Sequence, residues 1–316
     1  MAELSTLWNV SASPHARDKR TTADIMRDVF LALLPASIYG VVNFGTKAAV
    51  ILLVSTVSAV FFEWVYQVLM GQKVTISDCS AAVTGLLLGM NLSHTVPWWM
   101  AVIGSAFAII VVKQLFGGLG QNFMNPALGA RCFLMISFAG QMTSFTYDGV
   151  TGATPLSYVK SGDLSMISVK DMFFGHIAGT IGETSALWLL VGAAYLLVRK
   201  VITLRIPATY IITVVVMVTL FGGHGLDITY IAAHVFGGGL ILGAFFMATD
   251  YVSSPITVKG QYVYGVLLGS LTAVFRLYGG TAEGVSYSII ICNLLVPLIE
   301  KVTMPVAFGM GGKKHE

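Results

Sequence analysis

Ten apolar segments, each near the length of a membrane helix, constrain this chain more than any other feature. A helix that crosses the hydrocarbon core of a bilayer needs ~20 mostly apolar residues, and fewer where it is broken against protein. Only 10% of the 316 residues are charged, against roughly 25% in soluble domains. We therefore predict an all-α integral membrane protein whose short, glycine-rich third and fifth spans are half-helices or bent. The predicted spans are residues 24–43, 47–70, 79–92, 98–115, 126–140, 183–199, 206–222, 228–249, 262–277 and 285–308.

The distribution of basic residues predicts how these spans are oriented, because Lys and Arg are enriched in cytoplasmic loops. With a cytoplasmic N-terminus, 14 of the 18 basic residues fall inside and only 4 fall outside. Both termini are then cytoplasmic. The outside residues are Lys47, Lys160, Lys170 and Arg276. The inside residues are Arg17, Lys19, Arg20, Arg27, Lys73, Lys113, Arg131, Arg199, Lys200, Arg205, Lys259, Lys301, Lys313 and Lys314.

The two halves of the chain resemble each other, which predicts two five-helix repeats. The stretch 82–90 resembles 236–244, and Gly117-Gly118 precedes the fifth span as Gly279-Gly280 precedes the tenth. Since five is an odd number, the halves have opposite topology, and such inverted repeats place sites beside broken helices at their interface. The predicted divisions are a cytoplasmic segment (1–23), the first repeat (24–140), an extracytoplasmic loop (141–172), the second repeat (173–308) and a cytoplasmic tail (309–316).

The loop 141–172 contains the sequence that carries most functional information. Residues 148–155 read Asp-Gly-Val-Thr-Gly-Ala-Thr-Pro, which by composition alone is typical of a turn. Long loops in compact proteins are usually functional, so this loop is predicted to contain a functional site.

This stretch resembles the flavinylation motif Asp-x-x-(Ser/Thr)-Gly-Ala-Thr of the D subunit of the Rnf electron-transport complex. The related B subunit of the sodium-pumping NADH:quinone reductase shares the motif. The stretches 77–87, 117–127 and 179–187 resemble the same family in the same order, so the resemblance covers nearly the whole chain. It implies that FMN is esterified to a threonine by an extracytoplasmic flavin transferase that uses FAD. The matching positions are Asp148, Thr151, Gly152, Ala153 and, as acceptor, Thr154.

The resemblance implies an electron-transfer subunit of an ion-translocating ferredoxin:NAD⁺ oxidoreductase in a bacterial inner membrane. Its implied partners are a second subunit with covalent FMN, Fe–S subunits, the flavin transferase and membrane lipid. The net charge of +3 gives no indication of nucleic-acid binding. Two alternatives stay open: the quinone-reductase B subunit, which usually has a longer segment before its first span, and a channel or secondary transporter without a redox role.

The stretch Thr180-Ile181-Gly182-Glu183 is predicted to bind the flavin phosphate. It reads as a capping box that opens the sixth span, on the same side of the membrane as Thr154. The free N–H groups and positive dipole end of such a helix N-terminus suit an anion. We therefore expect Thr180, Gly182 and Glu183 to lie close to Thr154.

Two asparagines at the entry to the fifth span allow two interpretations. Asn125 precedes Pro126, a pattern that is typical of a helix cap followed by a first-turn proline. Alternatively, the amides of Asn122 and Asn125 bind a second, non-covalent flavin or form part of a quinone-side site, as the family resemblance implies.

The remaining ionisable and sulfur-containing residues are predicted to be structural. Glu63 is expected deep in the second span, where a structural ion pair is favoured over a role in ion passage. His234 is expected to be a packing residue with satisfied nitrogens. Cys79, Cys132 and Cys292 form no CxxC pair and are too few for a typical Fe–S or zinc site. They are expected to be small buried residues, with a ligand role shared with another subunit as the alternative. No catalytic side chain and no metal site are predicted.

Overall fold

The computed structural model describes residues 20–147, 150–151, 154–163, 165, 167–280 and 284–305, and most of these are helical. The first half contains α1 (Thr22–Phe44), α2 (Thr46–Leu69), α3 (Ser80–Met90), α4 (Trp98–Ala106) and α5 (Pro126–Ser137). The connection between the halves contains α6 (Ala139–Met142), β1 (Thr146–Tyr147), β2 (Val150–Thr151), α7 (Pro155–Ser161) and α8 (Val169–Phe174). The second half contains α9 (Ala186–Val198), α10 (Arg205–Phe221), α11 (Ile228–Phe236), α12 (Leu240–Leu242), α13 (Val258–Tyr278) and α14 (Val285–Thr303). Two π-helical segments, Phe107–Gln114 and Gly243–Met247, continue α4 and α12.

Three of the described helices, α1, α2 and α14, are each long and apolar enough to cross a membrane. A fourth span is obtained if the bent pair Ile228–Phe236 and Leu240–Met247 is counted as one. Exposed apolar side chains such as Val42, Leu53 and Val302 cover the outward faces, and soluble monomers rarely expose continuous surfaces of this kind. The prediction of an essentially all-helical membrane protein is confirmed. Each of the ten predicted segments contains helix, while their arrangement as ten spans in two repeats stays a prediction.

The helix contacts of the first half occur again in the second half. α1 packs on α3, α2 on α4 and α4 on α5, just as α9 packs on α12, α10 on α13 and α13 on α14. The first helices of the halves, α1 and α9, pack against each other, and so do the last, α5 and α14. An ion pair of 3.2 Å between Asp28 and Arg199 holds one end of the α1–α9 contact.

The second half differs from the first by a break in its third span. α11 and α12 meet at a bend of 55°, where Gly238 and Gly239 adopt φ of +61° and +66°, a conformation that glycine tolerates far better than other residues. Arg276 Nη2 donates to the carbonyls of Gly237 (2.9 Å) and Gly238 (3.1 Å), which closes the end of α11. The helix within the predicted span 228–249 is therefore broken. The third and fifth spans are short as predicted, with 11 residues in α3 and 12 in α5.

Candidate functional site

Thr154 occupies the N-cap position of the short helix α7. Its backbone is extended (φ −69°, ψ 154°), and its carbonyl accepts from the N–H groups of Ser157 (2.8 Å) and Tyr158 (3.2 Å). A threonine at this position normally uses its hydroxyl to bind the N–H groups of the first turn. In the described part of the chain the Thr154 side chain makes no such capping bond, and Thr154 is half-buried. Its hydroxyl is therefore available for another bond.

A small cavity of about 290 Å³ adjoins Thr154. Its walls come from α7, from the stretch before α9 and from the break between α11 and α12, so three separate parts of the chain meet here. The 290 Å³ includes space open to solvent, and the room available to a water-sized group is about 10 Å³. This is far below the volume of sites that hold small molecules, so the cavity has no room for a whole nucleotide. The described lining residues are Thr154, Pro155, Ile177, Ala178, Gly179, Glu183, Gly237 and Gly238.

Glu183, which lines this cavity, forms a buried ion pair with Arg131. Arg131 Nη1 donates to Glu183 Oε1 at 3.1 Å and to Asn91 Oδ1 at 2.7 Å. The two charged side chains are only 4% and 6% exposed, so their electrostatic interaction is strong because water is excluded. Arg131, counted above among cytoplasmic residues, lies inside the helix bundle instead. It neutralises the carboxylate nearest to Thr154.

The predicted capping box at Thr180–Glu183 does not form. The helix begins at Ala186, and the N–H of Gly182 donates to the Met90 carbonyl at 2.8 Å. A Cβ on Gly182 would lie 2.6 Å from Met90 Cβ, so this glycine permits close packing against the end of α3. The expectation of free N–H groups there is wrong because α3 already uses them. Thr180 is buried, and its hydroxyl has no hydrogen-bond partner among the described residues.

The start of the flavinylation-like motif is only partly described. β1 and β2 pair antiparallel, with Thr146 opposite Thr151 and Tyr147 opposite Val150, so Thr151 lies in a short hairpin that precedes Thr154. Asp148, Gly152 and Ala153 lie outside the described residues. Their predicted roles stay predictions.

A second cavity, of about 780 Å³, lies at the N-terminal end of α5 and is lined by Asn122, Asn125 and Asp250, among others. Asn125 Oδ1 accepts from the N–H groups of Ala127 (3.1 Å) and Leu128 (3.3 Å), so its predicted capping role is confirmed. Asn122 donates to the Met124 carbonyl at 3.0 Å. Burial raises the pKa of the Asp250 carboxyl above its usual value. The 780 Å³ includes space open to solvent, and the room available to a water-sized group is about 90 Å³, below the usual range of small-molecule sites.

A second buried ion pair lies between α2 and the π-helical segment after α4. Lys113 Nζ donates to Glu63 Oε1 at 2.7 Å and to Ser80 Oγ at 2.6 Å, and Gln114 donates to the same Glu63 oxygen at 2.7 Å. The prediction that Glu63 is deep and structurally paired is confirmed, since Glu63 is 1% exposed. Lys113, counted above with the cytoplasmic residues, was missed as its partner. A charge within an apolar span is the signal that could have indicated both Lys113 and Arg131.

The histidine and cysteine predictions have mixed outcomes. Cys132 and Cys292 are buried, as predicted, whereas Cys79 is partly exposed and has φ of +62° immediately before α3. His234 is buried, but neither ring nitrogen has a hydrogen-bond partner among the described residues. The prediction of satisfied nitrogens for His234 is therefore wrong.

Comparisons with known proteins identify the family of this chain. Residues 9–309 match the model of the NQR2, RnfD, RnfE family. The D subunit of a Na(+)-translocating ferredoxin:NAD(+) oxidoreductase complex from Acetobacterium woodii is 48% identical over 314 residues, which cover 97% of each chain. The D subunit of a proton-translocating ferredoxin:NAD(+) oxidoreductase complex from Clostridium ljungdahlii is 41% identical over 96% of each chain. The D subunit of an ion-translocating oxidoreductase complex from Aeromonas hydrophila is 34% identical, covering 96% of this chain and 99% of the relative. The chain is thus a member of the NQR2, RnfD, RnfE family.

Proposed function

We propose that this chain is the D subunit of an ion-translocating ferredoxin:NAD⁺ oxidoreductase complex and that it carries FMN on Thr154. The names and near-complete coverage of its relatives support the subunit role. The observation that carries the FMN proposal is the Thr154 hydroxyl, which makes no capping bond within the described chain and adjoins a small cavity where three parts of the chain meet. The names of two relatives specify Na⁺ and protons respectively, so the proposal covers ion translocation without choosing the ion.

The residues around Thr154 fit a phosphoester. Gly237 and Gly238 line the cavity and carry no side chains. Thr180, next to Gly179 of the cavity wall, has a buried hydroxyl without a described partner, and a buried hydroxyl of this kind is a ready hydrogen-bond donor. The Glu183 carboxylate would repel a phosphate, but its ion pair with Arg131 offsets that charge.

FMN, when bound, supplies a ring that accepts and donates electrons, while the protein supplies its position and electrostatic environment. For attachment from FAD, the Thr154 oxygen bonds to the phosphorus of the FMN portion. AMP leaves with the anhydride oxygen, and the hydroxyl proton goes to solvent. The chain itself needs to present the hydroxyl in an accessible, rigid position. Pro155 at the first position of α7 helps here, because its fixed φ is pre-organised for the helix start.

The topology proposed for this chain has both termini in the cytoplasm and Thr154 outside the inner membrane. The excess of basic residues on one side supports it. Lys113, Arg131 and Arg276 are buried, and the excess of basic residues on the cytoplasmic side remains when these three are left out of the count. The recurrence of α1–α3, α2–α4 and α4–α5 contacts in the second half supports two repeats, and the pairing of α1 with α9 and α5 with α14 is what a two-fold axis between them would produce.

A second, non-covalent flavin is proposed for the cavity at Asn122 and Asn125. Its mixture of apolar and amide-bearing lining residues suits a planar ring with polar edges. Together the two positions would relay electrons between partner subunits, which the resemblance identifies as a second FMN-bearing subunit and Fe–S subunits.

The proposal is tested by co-expressing the protein with a flavin transferase and viewing a denaturing gel under ultraviolet light. We expect a fluorescent band for the unaltered protein and for Thr143→Val, a control at another threonine near the same loop, and none for Thr154→Val. Loss of fluorescence in Thr154→Val alone supports the flavoprotein. A dark band for the unaltered protein favours the alternative of a non-redox channel or transporter.

A further inference from the structure

A third cavity, of about 740 Å³, lies behind α7 and has no role in the function described above. We name it the His234 cavity. Its walls are formed by α7, the end of α10, α11 and the end of α13. The 740 Å³ includes space open to solvent, and the room available to a water-sized group is about 300 Å³, against about 10 Å³ in the cavity at Thr154. A volume of 300 Å³ is at the lower limit of the usual range for small ligands. The lining of the His234 cavity includes Leu156, Lys160, Ser161, Tyr230, His234 and Arg276.

The strongest indication of a ligand is His234 itself. It lines the cavity, it is only 3% exposed, and both of its ring nitrogens lack a hydrogen-bond partner among the described residues. Leaving a buried polar group without a hydrogen-bond partner destabilises the folded state. A ligand with hydrogen-bonding edges in this cavity would remove that cost.

The other walls specify the kind of ligand. The ring of Tyr230 packs edge-on against His234 at 4.8 Å and lies 4.4 Å from the ring of His224, which gives an aromatic wall. Lys160 and Arg276 add positive charge, and none of the described lining residues is acidic. Aromatic faces favour planar partners, and cations favour electron-rich ones. The lining therefore suits a planar, polar-edged, electron-rich ring.

The His234 cavity lies directly beside the Thr154 cavity. α7, which begins immediately after Thr154, contributes Leu156 and Lys160 to its wall. Leu156 also lies against the ideal Cβ position of Gly238 at 2.8 Å, and Gly238 lines the Thr154 cavity. Arg276 lines the His234 cavity and donates to the carbonyls of Gly237 and Gly238. One turn of helix and the glycine break thus separate the two cavities.

We infer that the His234 cavity holds the isoalloxazine ring of the flavin whose phosphate is esterified to Thr154, an inference that rests on the proposed function. The cavity at Thr154, with about 10 Å³ of room, is too small for the ring. The ribityl chain of FMN places the ring several bonds away from the phosphate, and the neighbouring cavity offers the aromatic wall, the unsatisfied imidazole and the positive charge that the ring can use. His234 then acts as a positioning residue toward the ring.

The inference is tested by photoaffinity labelling of the complete protein. The protein is loaded through the transferase with an 8-azido-FAD, and attachment at Thr154 is first checked by the mass of the protein. After illumination, peptides cross-linked to the ring are mapped by mass spectrometry. We expect cross-links in residues 224–236 or 276–278. Cross-links confined to the walls of the Asn122 cavity, to lipid or to another subunit overturn the inference. Absence of attachment before illumination is the failure of the proposed function instead.

A matched pair of exposed serines in the same loop tests occupancy without disturbing the core. Ser161 lines the His234 cavity, whereas Ser165 does not. We expect Ser161→Trp to retain covalent flavin on the gel but to lose the cross-links to residues 224–236 several-fold, because the indole fills the cavity. Ser165→Trp should match the unaltered protein in both measurements. Equal cross-linking in the two variants contradicts the inference.

A second pair tests the chemistry of the imidazole. His94, also partly buried, stacks on Phe44 at 4.5 Å and lines none of the three cavities considered above. We expect His234→Phe to keep the covalent flavin while shifting its visible absorption band in the native protein, and His94→Phe to leave the band unchanged. An unshifted spectrum in His234→Phe overturns the role of His234 toward the ring.

Discussion

Two buried ion pairs in this molecule have nearly the same chemistry and different surroundings. Glu63–Lys113 spans 2.7 Å and Glu183–Arg131 spans 3.1 Å, and all four side chains are at most 6% exposed. The first lies within one half of the chain and hydrogen-bonds Gln114 and Ser80. The second joins the halves and faces the cavity at Thr154. Lys113 lines the cavity at Asn122 and Asn125, so the two pairs set the charge of two different cavities, and only the second pair faces Thr154.

The largest expected effect comes from removing Arg131. Removing one partner of a buried pair leaves an uncompensated charge and costs ~3–5 kcal/mol, so Arg131→Met should lower the thermal unfolding temperature in detergent markedly. It should also reduce the fraction of protein with covalent flavin, because the uncompensated Glu183 carboxylate repels the phosphate. The double variant Arg131→Met/Glu183→Gln should recover flavin content.

Lys113→Met provides the matched control for the Arg131 variant. We expect a similar loss of stability, again ~3–5 kcal/mol, but unchanged flavin content per folded protein by in-gel fluorescence. If Lys113→Met lowers flavin content as much as Arg131→Met does, the two pairs do not differ in the way proposed. If Arg131→Met leaves flavin content intact, the Glu183–Arg131 pair stabilises the fold without affecting flavin attachment.

A smaller effect is expected at the glycine break that contacts Glu183. Gly239 has φ of +66°, and a Cβ there would overlap the Glu183 carboxylate. Gly239→Ala should cost about 1–3 kcal/mol through backbone strain and displacement of that carboxylate. Gly120, with φ of +95° and nothing within 4 Å of an added Cβ, is the control for strain alone. The melting temperature should fall further in Gly239→Ala than in Gly120→Ala. Equal shifts in the two variants would show that the contact with Glu183 adds nothing to the backbone strain.

Substitution of Thr180 tests whether the site beside the Glu183–Arg131 pair binds a phosphate. In a Thr154→Val background, which lacks the flavin, Thr180→Val should be neutral or stabilise the protein by up to ~1 kcal/mol, because it removes an unsatisfied buried hydroxyl. In flavin-loaded protein the same change should destabilise, because a phosphate contact is lost. Thermal unfolding of the four combinations measures this coupling. A change of the same sign in both backgrounds would argue against the contact.

The smallest effect concerns Asp250, a half-buried carboxyl without an ion pair among the described residues. Burial raises its pKa in the folded protein, so ionisation costs stability as the pH rises from the unfolded-state pKa through the folded-state pKa. Asp250→Asn removes the cost, and its amide can still accept from the Val252 N–H and bond the Ser253 hydroxyl. The stability gain of the variant should therefore grow from low to high pH. A gain independent of pH would show that ionisation of Asp250 is not responsible.

The positions of the helices could be predicted from the sequence, because apolar length is a local property. The cap at Asn125 followed by Pro126 is local too, and it is confirmed. The partners of Glu63 and Glu183 are different, because Lys113 and Arg131 lie 50 and 52 residues away from them along the chain. A count of basic residues treats them as surface charges. Only packing shows that they are buried.

The prediction for the stretch before α9 failed for a related reason. Its sequence has the local pattern of a capping box, but α3 and the turn after it supply carbonyls that bind the N–H groups of Ile181 and Gly182 first. The break after Phe236 lies within an apolar run, so hydropathy does not indicate it. Its signal in the sequence is the run of three glycines, 237–239, two of whose carbonyls Arg276 of α13 can bind. The meeting of Thr154 with Glu183 and Gly238 in one cavity is a tertiary property that the motif alone does not contain.

The most direct test of the central claim is the mass of the peptide that contains Thr154, isolated from protein expressed with its flavin transferase in a native membrane. We predict a mass increased by FMN less one water, with fragmentation placing the addition on Thr154 and with none in Thr154→Val. An unmodified peptide, or an addition on another residue, would contradict the claim that Thr154 carries the flavin.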